Sequence, residues 1–174
     1  STRFTATEVA GLQTELAKLG FTTPEIIAST ESILNLAAAT GSDLASASKL
    51  AGSTMRAFGL EATEMERVTA VLGVATTKSG LNMEFLETAM SKVAPVSRAF
   101  GFSIEESTAL LGTLANAGFD ASTAATSTRN ILLKLADANG DLAKELGRPV
   151  KNLPDLVKGL KELEERGIDL SAAL

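Results

Sequence analysis

Three short segments of this chain nearly superimpose: Leu19-Gly20-Phe21, Phe58-Gly59-Leu60 and Phe100-Gly101-Phe102. Each is followed by an acid, Glu25, Glu64 and Glu105, and the glycines stand 39 and 42 residues apart. A period near 40 is the mark of a repeated helical hairpin, since two helices and their turns fill about that length. A second set of glycines, Gly41, Gly80 and Gly118, falls between the first. Six turns therefore punctuate the first 140 residues. Glycine just past a helix adopts the left-handed conformation at little steric cost, so each of the six is expected to close a helix.

Between the turns the apolar residues recur at helical spacing. Val9, Leu12, Leu16 and Leu19 share one face of a helix over residues 8–19, with Thr7 as its N-cap. Thr23-Pro24-Glu25 opens the next, with Pro at the first helical position, where its missing N–H costs nothing. Asp43, Thr63, Asn82, Ser103 and either Asp120 or Ser122 are placed to cap those that follow. Ser103 and Glu106 have capping-box spacing. Pro95 lies inside a helical pattern and is expected to kink that helix or end it early. The fold class that emerges is all-α: about seven to nine helices, as repeated hairpins in a compact bundle or short solenoid.

Composition agrees. Hydrophobic residues are 45% of the 174, mostly the strong helix formers Ala and Leu, and aromatics are only 4%, all of them Phe. The seven Phe and four Met fall mainly on apolar faces, where core packing is their default role. Residues 141–174 are different: 13 of these 34 are charged, against 24 in the preceding 140. Leu156, Val157, Leu160 and Leu163 form the stripe of a charged amphipathic helix there. The expected organisation is a hairpin-repeat core over residues 1–140 and a charged helical extension or cap over 141–174.

Much chemistry is excluded outright. The chain has no His, Cys, Tyr or Trp, which removes Ser-His-Asp and Cys-His nucleophile systems, disulfides and most zinc sites. No phosphate-binding glycine loop occurs. Asp137, Asn139 and Asp141 match the start of an EF-hand loop, but Leu142 and Arg148 stand where that loop needs Gly and Glu, so a turn is the better reading. Glu105-Glu106 and Glu61/Glu64 are the nearest approach to a catalytic carboxylate pair; in a first helical turn such acids normally interact with the helix dipole. Arg56, Arg98 and Arg129 recur late in helices, in reach of terminal carbonyls. A net charge of −5, with scattered bases, argues against contact with nucleic acid. No stretch approaches the roughly 20 apolar residues of a membrane span. The absence of a signal peptide and an initiator Met fits a segment of a longer protein. No catalytic, cofactor or metal residue is assigned; the structural turn glycines Gly20, Gly41, Gly59, Gly80, Gly101 and Gly118 are the positions singled out.

Four further motifs carry a resemblance: Leu34-Asn-Leu-Ala-Ala-Ala-Thr-Gly41, Met55-Arg-Ala-Phe-Gly-Leu60, Met90-Ser-Lys-Val-Ala-Pro-Val96 and Leu111-Gly-Thr-Leu-Ala-Asn-Ala-Gly118. In this order they resemble the core region of phage tail tape measure proteins, the phage-related minor tail protein family, over about residues 5–140. Residues 141–174 depart from that pattern. The resemblance implies a structural virion protein that sets tail length during assembly and leaves the tube at DNA ejection. It implies tail tube protein, tail assembly chaperones and tail tip proteins as partners, and a place in the virion tail after assembly in the host cytoplasm. It supplies no catalytic residue. Competing readings are a helical-repeat scaffold or adaptor and, more remotely, a carboxylate hydrolase; a defined peptide groove would mark the former, and two acids converging in a cleft the latter. One continuous helix of this length would span roughly 260 Å, against a radius of gyration of about 16 Å for a compact fold. The frequent glycine turns favour the compact form for the isolated segment, so a length-measuring role belongs to an extended state.

Overall fold

A computed structural model describes residues 4–136, 140–150 and 153–167. Among these the chain is helical throughout, without strands: α1 (Ala6–Lys18), α2 (Thr23–Thr40), α3 (Leu44–Phe58), a 3-10 turn (Ala62–Glu64), α4 (Met65–Lys78), α5 (Met83–Ala99), α6 (Ile104–Asn116), α7 (Ala121–Ala136), α8 (Asp141–Leu146) and α9 (Leu153–Glu165). The all-α expectation is met, and the hairpins stack in two rows. The odd helices α1, α3, α5 and α7 pack successively on one another, and so do the even helices α2, α4 and α6. Each hairpin thus contributes one helix to each row, which is the arrangement of a short solenoid.

Small residues let the odd row close up. Ala47, Ser48, Ala51 and Gly52 of α3, Ala89, Ala94 and Ser97 of α5, and Ala124 and Ala125 of α7 are all buried. Gly52 shows the tightness: a Cβ built there would lie 2.7 Å from Leu19 Cδ1 and 3.0 Å from Leu16 Cδ2. Larger side chains fill the space between the rows, with Leu12, Leu16, Ile33, Leu50, Met55, Met65, Leu72, Leu86 and Leu111 essentially free of solvent contact. Each such burial contributes about 1.5–3 kcal/mol. Most Phe and Met residues do line this core; Phe100 and Phe119 stay partly exposed, at 37% and 42%.

The repeated glycine segment is a helix-end motif. Gly20, Gly59, Gly101 and Gly118 have positive φ, and in each case the apolar residue after the glycine returns its N–H to the carbonyl five residues back: Phe21 to Leu16, Leu60 to Met55, Phe102 to Ser97 and Phe119 to Leu114, at 2.9–3.1 Å. This satisfies carbonyls that the helix end leaves without partners. Gly41 is also left-handed. Gly80 is not. It follows an extended Ser79, and its N–H donates to Asn116 Oδ1 of α6 at 2.6 Å. A Cβ at Gly80 would lie 3.3 Å from the Ala115 carbonyl oxygen, so close approach, not backbone handedness, explains this glycine.

Helix starts differ from expectation in three places. The cap of α1 is Thr5, with Glu8 completing a capping box, so the helix begins two residues before the expected start. Glu25 binds back to the N–H of Thr22, which makes Thr22 the cap and moves Pro24 to the second helical position. Thr63 lies within the 3-10 turn and caps nothing. Asp43, Asn82 and Ser103 cap as expected, through the N–H groups of Ser46, Phe85 and Glu106. Asp120, not Ser122, starts α7 by accepting from the N–H groups of Ser122 and Thr123. The capping acid of the third repeat is therefore Glu106, five residues after its glycine as Glu25 is after its own; Glu64, at the same spacing, pairs with Arg67 and caps nothing, and Glu105 points elsewhere.

Pro95 does not end its helix, which runs on to Ala99. The proline is exposed while Val93, Ala94 and Ser97 around it are buried. The carbonyl it leaves without a donor, on exposed Ser91, faces water, and burial of the opposite face holds the helix together. The EF-hand-like Asp137 and Asn139 lie outside the described residues. In the C-terminal stretch, α8 and α9 pair with each other. Arg148 joins them to Asp155 (2.6 Å) and Glu162 (3.5 Å), and Arg166 donates to the Glu145 carbonyl at 2.7 Å. Leu163 of the expected stripe is buried; the side chains of Leu156, Val157 and Leu160 are outside the described set.

Two expectations can be measured on the chain by chemical denaturation. Gly11 lies inside α1 with nothing within 4 Å of a built Cβ, so Gly11→Ala gains about 0.5–1 kcal/mol from helix propensity. The same change at Gly52 forces its Cβ into Leu16 and Leu19 and yields a net loss of about 1 kcal/mol or more; equal signs for the two would contradict the packing described.

The second expectation concerns acid. Hydrogen bonds from cap N–H and hydroxyl groups hold the carboxyls of Glu8, Glu25 and Asp43 below their usual range, and the Thr123 hydroxyl and N–H do so for Asp120. A carboxyl depressed in the folded state takes up protons on unfolding. Its stabilisation is complete above the unfolded pKa and is lost as pH falls through the folded one. Stability should hold from neutral pH down to about 4.5 and then drop. A midpoint denaturant concentration that stays flat from pH 6 to pH 2.5 would show that these caps contribute nothing.

Candidate interaction surface

The recurring arginines act between repeats. Arg56 of α3 reaches back to the turn after α1: its Nη2 donates to the Gly20 carbonyl at 3.1 Å and lies 3.4 Å from Glu25 Oε1, while the guanidinium carbon sits 4.2 Å from the centre of the Phe21 ring. Arg98 of α5 lies over the next turn, its guanidinium where a Cβ of Gly59 would collide with it. The carbonyl that Arg56 engages thus belongs to the turn after the preceding odd helix, not to its own helix. Arg129 is exposed on α7.

The carboxylates regroup. Glu61/Glu64 and Glu105-Glu106 do not act as two separate pairs. Glu64 and Glu105 instead converge on Arg67, at 2.8 Å and 2.7 Å, and Glu106 caps its own helix at Ser103. The hydrogen bond from Arg67 holds the Glu105 carboxyl below the usual carboxylate range and raises Arg67 in turn. A general acid needs the opposite shift. Further ties across repeats join Lys49 to Glu87 and Lys92 to the Ser122 hydroxyl. Among the described residues no group of three or more acids is arranged to hold a metal ion.

What the structure leaves open to solvent is the outer face of the even row. Two grooves run there, one on each side of α4. The first, about 520 Å³, lies between α4 and α6, with Val71, Ala75, Ala109 and Gly112 in its walls and Lys78 and Glu105 among its polar residues. The second, about 660 Å³, lies between α2 and α4, walled by Ala28, Leu36, Ala39, Ala70, Gly73 and Val74. Val74 forms the ridge between them and is 58% exposed. Sequence periodicity placed Val71 and Ala75 on the inward apolar face and did not mark Ala28, Ala39, Ala70, Gly73 or Val74, which lie off the large-apolar stripe. The signal that was present is a second, small-residue stripe on the opposite flank of α2 and α4.

No helix among the described residues is long and apolar enough to cross a membrane. No solved structure matches the chain. Two curated proteins do: the tape measure protein of Pneumococcus phage Dp-1 is 36% identical over 145 residues, covering 83% of this chain and 13% of that protein. The probable tape measure protein of Escherichia phage P2 is 31% identical over 150 residues, covering 84% of this chain and 18% of its own length. The chain therefore spans less than a fifth of the curated relatives it matches. The model of the phage-related minor tail protein family matches residues 1–173, so the likeness extends past residue 140 into the charged segment expected to depart from it. On this match over residues 1–173, the chain belongs to the phage-related minor tail protein family.

Proposed function

We infer that this chain is a folded module of a longer tail tape measure protein and serves tail length determination and tail assembly. The observation that carries this is the family match over residues 1–173, together with two tape measure relatives above 30% identity. The fold supports the reading through its modularity. Each repeat contacts its neighbours in its own row, so repeats can be gained or lost without redesigning the rest.

The module works in the phage tail, after assembly in the host cytoplasm. Tail tube protein, tail assembly chaperones and tail tip proteins are its partners. Residues 1–140 are the stacking core and residues 141–174 its cap; the self-contained ties between α8 and α9 support that division. The protein is structural rather than catalytic: of the four candidate acids, Glu64 and Glu105 are engaged by Arg67 and Glu106 by the start of α6. Measuring belongs to an extended state in which the hairpins open at their glycine turns and each residue adds a fixed rise.

Excision of residues 60–101 from the full-length protein in its phage tests this. The cut joins Gly59 to Phe102, replacing one left-handed turn and its apolar follower with another of the same kind. In an extended helix the loss of these 42 residues shortens the tail by about 63 Å. Excision of residues 21–59, which joins Gly20 to Leu60, shortens it by about 58 Å. Tails of unchanged length by electron microscopy in both deletions would overturn the measuring role of this segment.

A further inference from the structure

We propose that the groove between α2 and α4 is a docking site for a basic amphipathic helix of about three turns, contributed by a partner protein. Four observations lead there, and none depends on the measuring role.

The groove's axis is set by its walls. Leu36 of α2 meets Gly73 of α4, and the lining runs from Ala28 to Ala39 on one side and from Glu66 to Thr77 on the other. Because α2 and α4 hold the same place in successive hairpins they run in the same direction, and the Leu36–Gly73 contact then places position 29 opposite position 66. Each wall is about 16 Å long at helical rise, enough to seat three turns.

The walls select for a helix. Ala28, Ala39, Ala70 and Gly73 are small, which permits close approach of a helical backbone. The threonine hydroxyls in the lining are already committed: Thr69 donates to the Met65 and Glu66 carbonyls, and Thr77 to those of Gly73 and Val74. Ser32 and Asn35 of the same lining remain available for hydrogen bonding, so it is the small walls that favour a helix here.

The charge selects for a base. Glu31 and Glu66 flank the same end of the groove from opposite walls, and both are exposed. Neither carboxylate has a hydrogen-bond or ion-pair partner among the described residues, and no Lys or Arg lines this groove. The groove on the other side of α4 differs, since its Glu105 is held by Arg67 and Lys78 is present. A Lys or Arg at one end of the docked helix would lie between the two free acids while its Ala, Ser or Val stripe covers Val74 and Leu36.

The overall charge selects against a second copy. Each chain carries −5, so like copies repel where a basic partner is attracted.

The test uses the 174-residue chain and a stapled, fluorescently labelled helical peptide with an Ala/Val stripe and Lys-Arg at one end, followed by anisotropy. A matched peptide carries Glu-Glu instead. The basic peptide should bind and the acidic one should not. The double variant Glu31→Gln, Glu66→Gln should weaken binding about fivefold and remove most of its salt dependence. Val74→Lys should abolish it; both variants alter exposed positions, and circular dichroism confirms their fold. The proposal is overturned if the basic peptide fails to bind at about 1 mM, if the acidic peptide binds equally, or if neither variant changes the affinity. It is also overturned if sedimentation shows a dimer that Val74→Lys dissolves, which would assign the groove to a second copy.

Discussion

Everything in this fold rests on how closely the odd helices approach one another. Gly52 packs directly against Leu16 and Leu19 in that row, and buried Ala and Ser residues repeat the same choice in α5 and α7. Close approach lets short helices of 13 to 17 residues, marginal in isolation, gain dispersion contacts along their whole length. It also explains the continuity of α5 through Pro95: one lost hydrogen bond on the wet side is offset by a buried face on the dry side. Of the hydroxyls buried in this row, Ser48 bonds to the Leu44 carbonyl and Ser97 accepts from Ser107 across the α5–α6 pair at 2.7 Å, while Thr54 and Thr128 have no partner among the described residues.

The polar ties have a different part. Arg56 on the Gly20 turn, Arg67 between Glu64 and Glu105, and Lys49 with Glu87 all link one repeat to the next, and all lie at least partly in solvent. Pairs of this kind contribute little to stability, and salt screens them. Their consistent placement fixes register instead: each arginine over a glycine turn brings one helix end under the next. A stack held by apolar packing and indexed by exposed charges can open at its turns without breaking a buried ion pair. That property suits a segment which folds compactly in one setting and extends in another.

The even row's outer face belongs to the same logic. Helices that pack through small residues on one side leave their other side shallow, and Ala70, Gly73 and Val74 make α4 a low ridge between two channels. Family membership says nothing of what sits in those channels. The free carboxylates of Glu31 and Glu66 do, because an unpaired charge beside an apolar wall is a feature that a partner can complete.

By itself the sequence determined the helices and most of their ends. Local effects decide these: the cheap left-handed turn of Gly20, Gly59, Gly101 and Gly118, the cap geometry of Asp43, Asn82 and Ser103, and the 3.6-residue apolar stripe. The family resemblance rested on the same local motifs. Where local rules were ambiguous, at Thr5 against Thr7 or Thr22 against Thr23, the choice turned on which Glu could reach back three residues, and both starts came out early. Tertiary structure alone decided the rest. Gly80 exists for the approach of α6, Glu105 serves Arg67 rather than its own helix, and Glu31 and Glu66 share a groove although 35 residues separate them. A turn or cap is closed by neighbours in the chain, so the sequence carries its cause. A groove is closed by residues a whole repeat away, and only the stacking of rows brings them together.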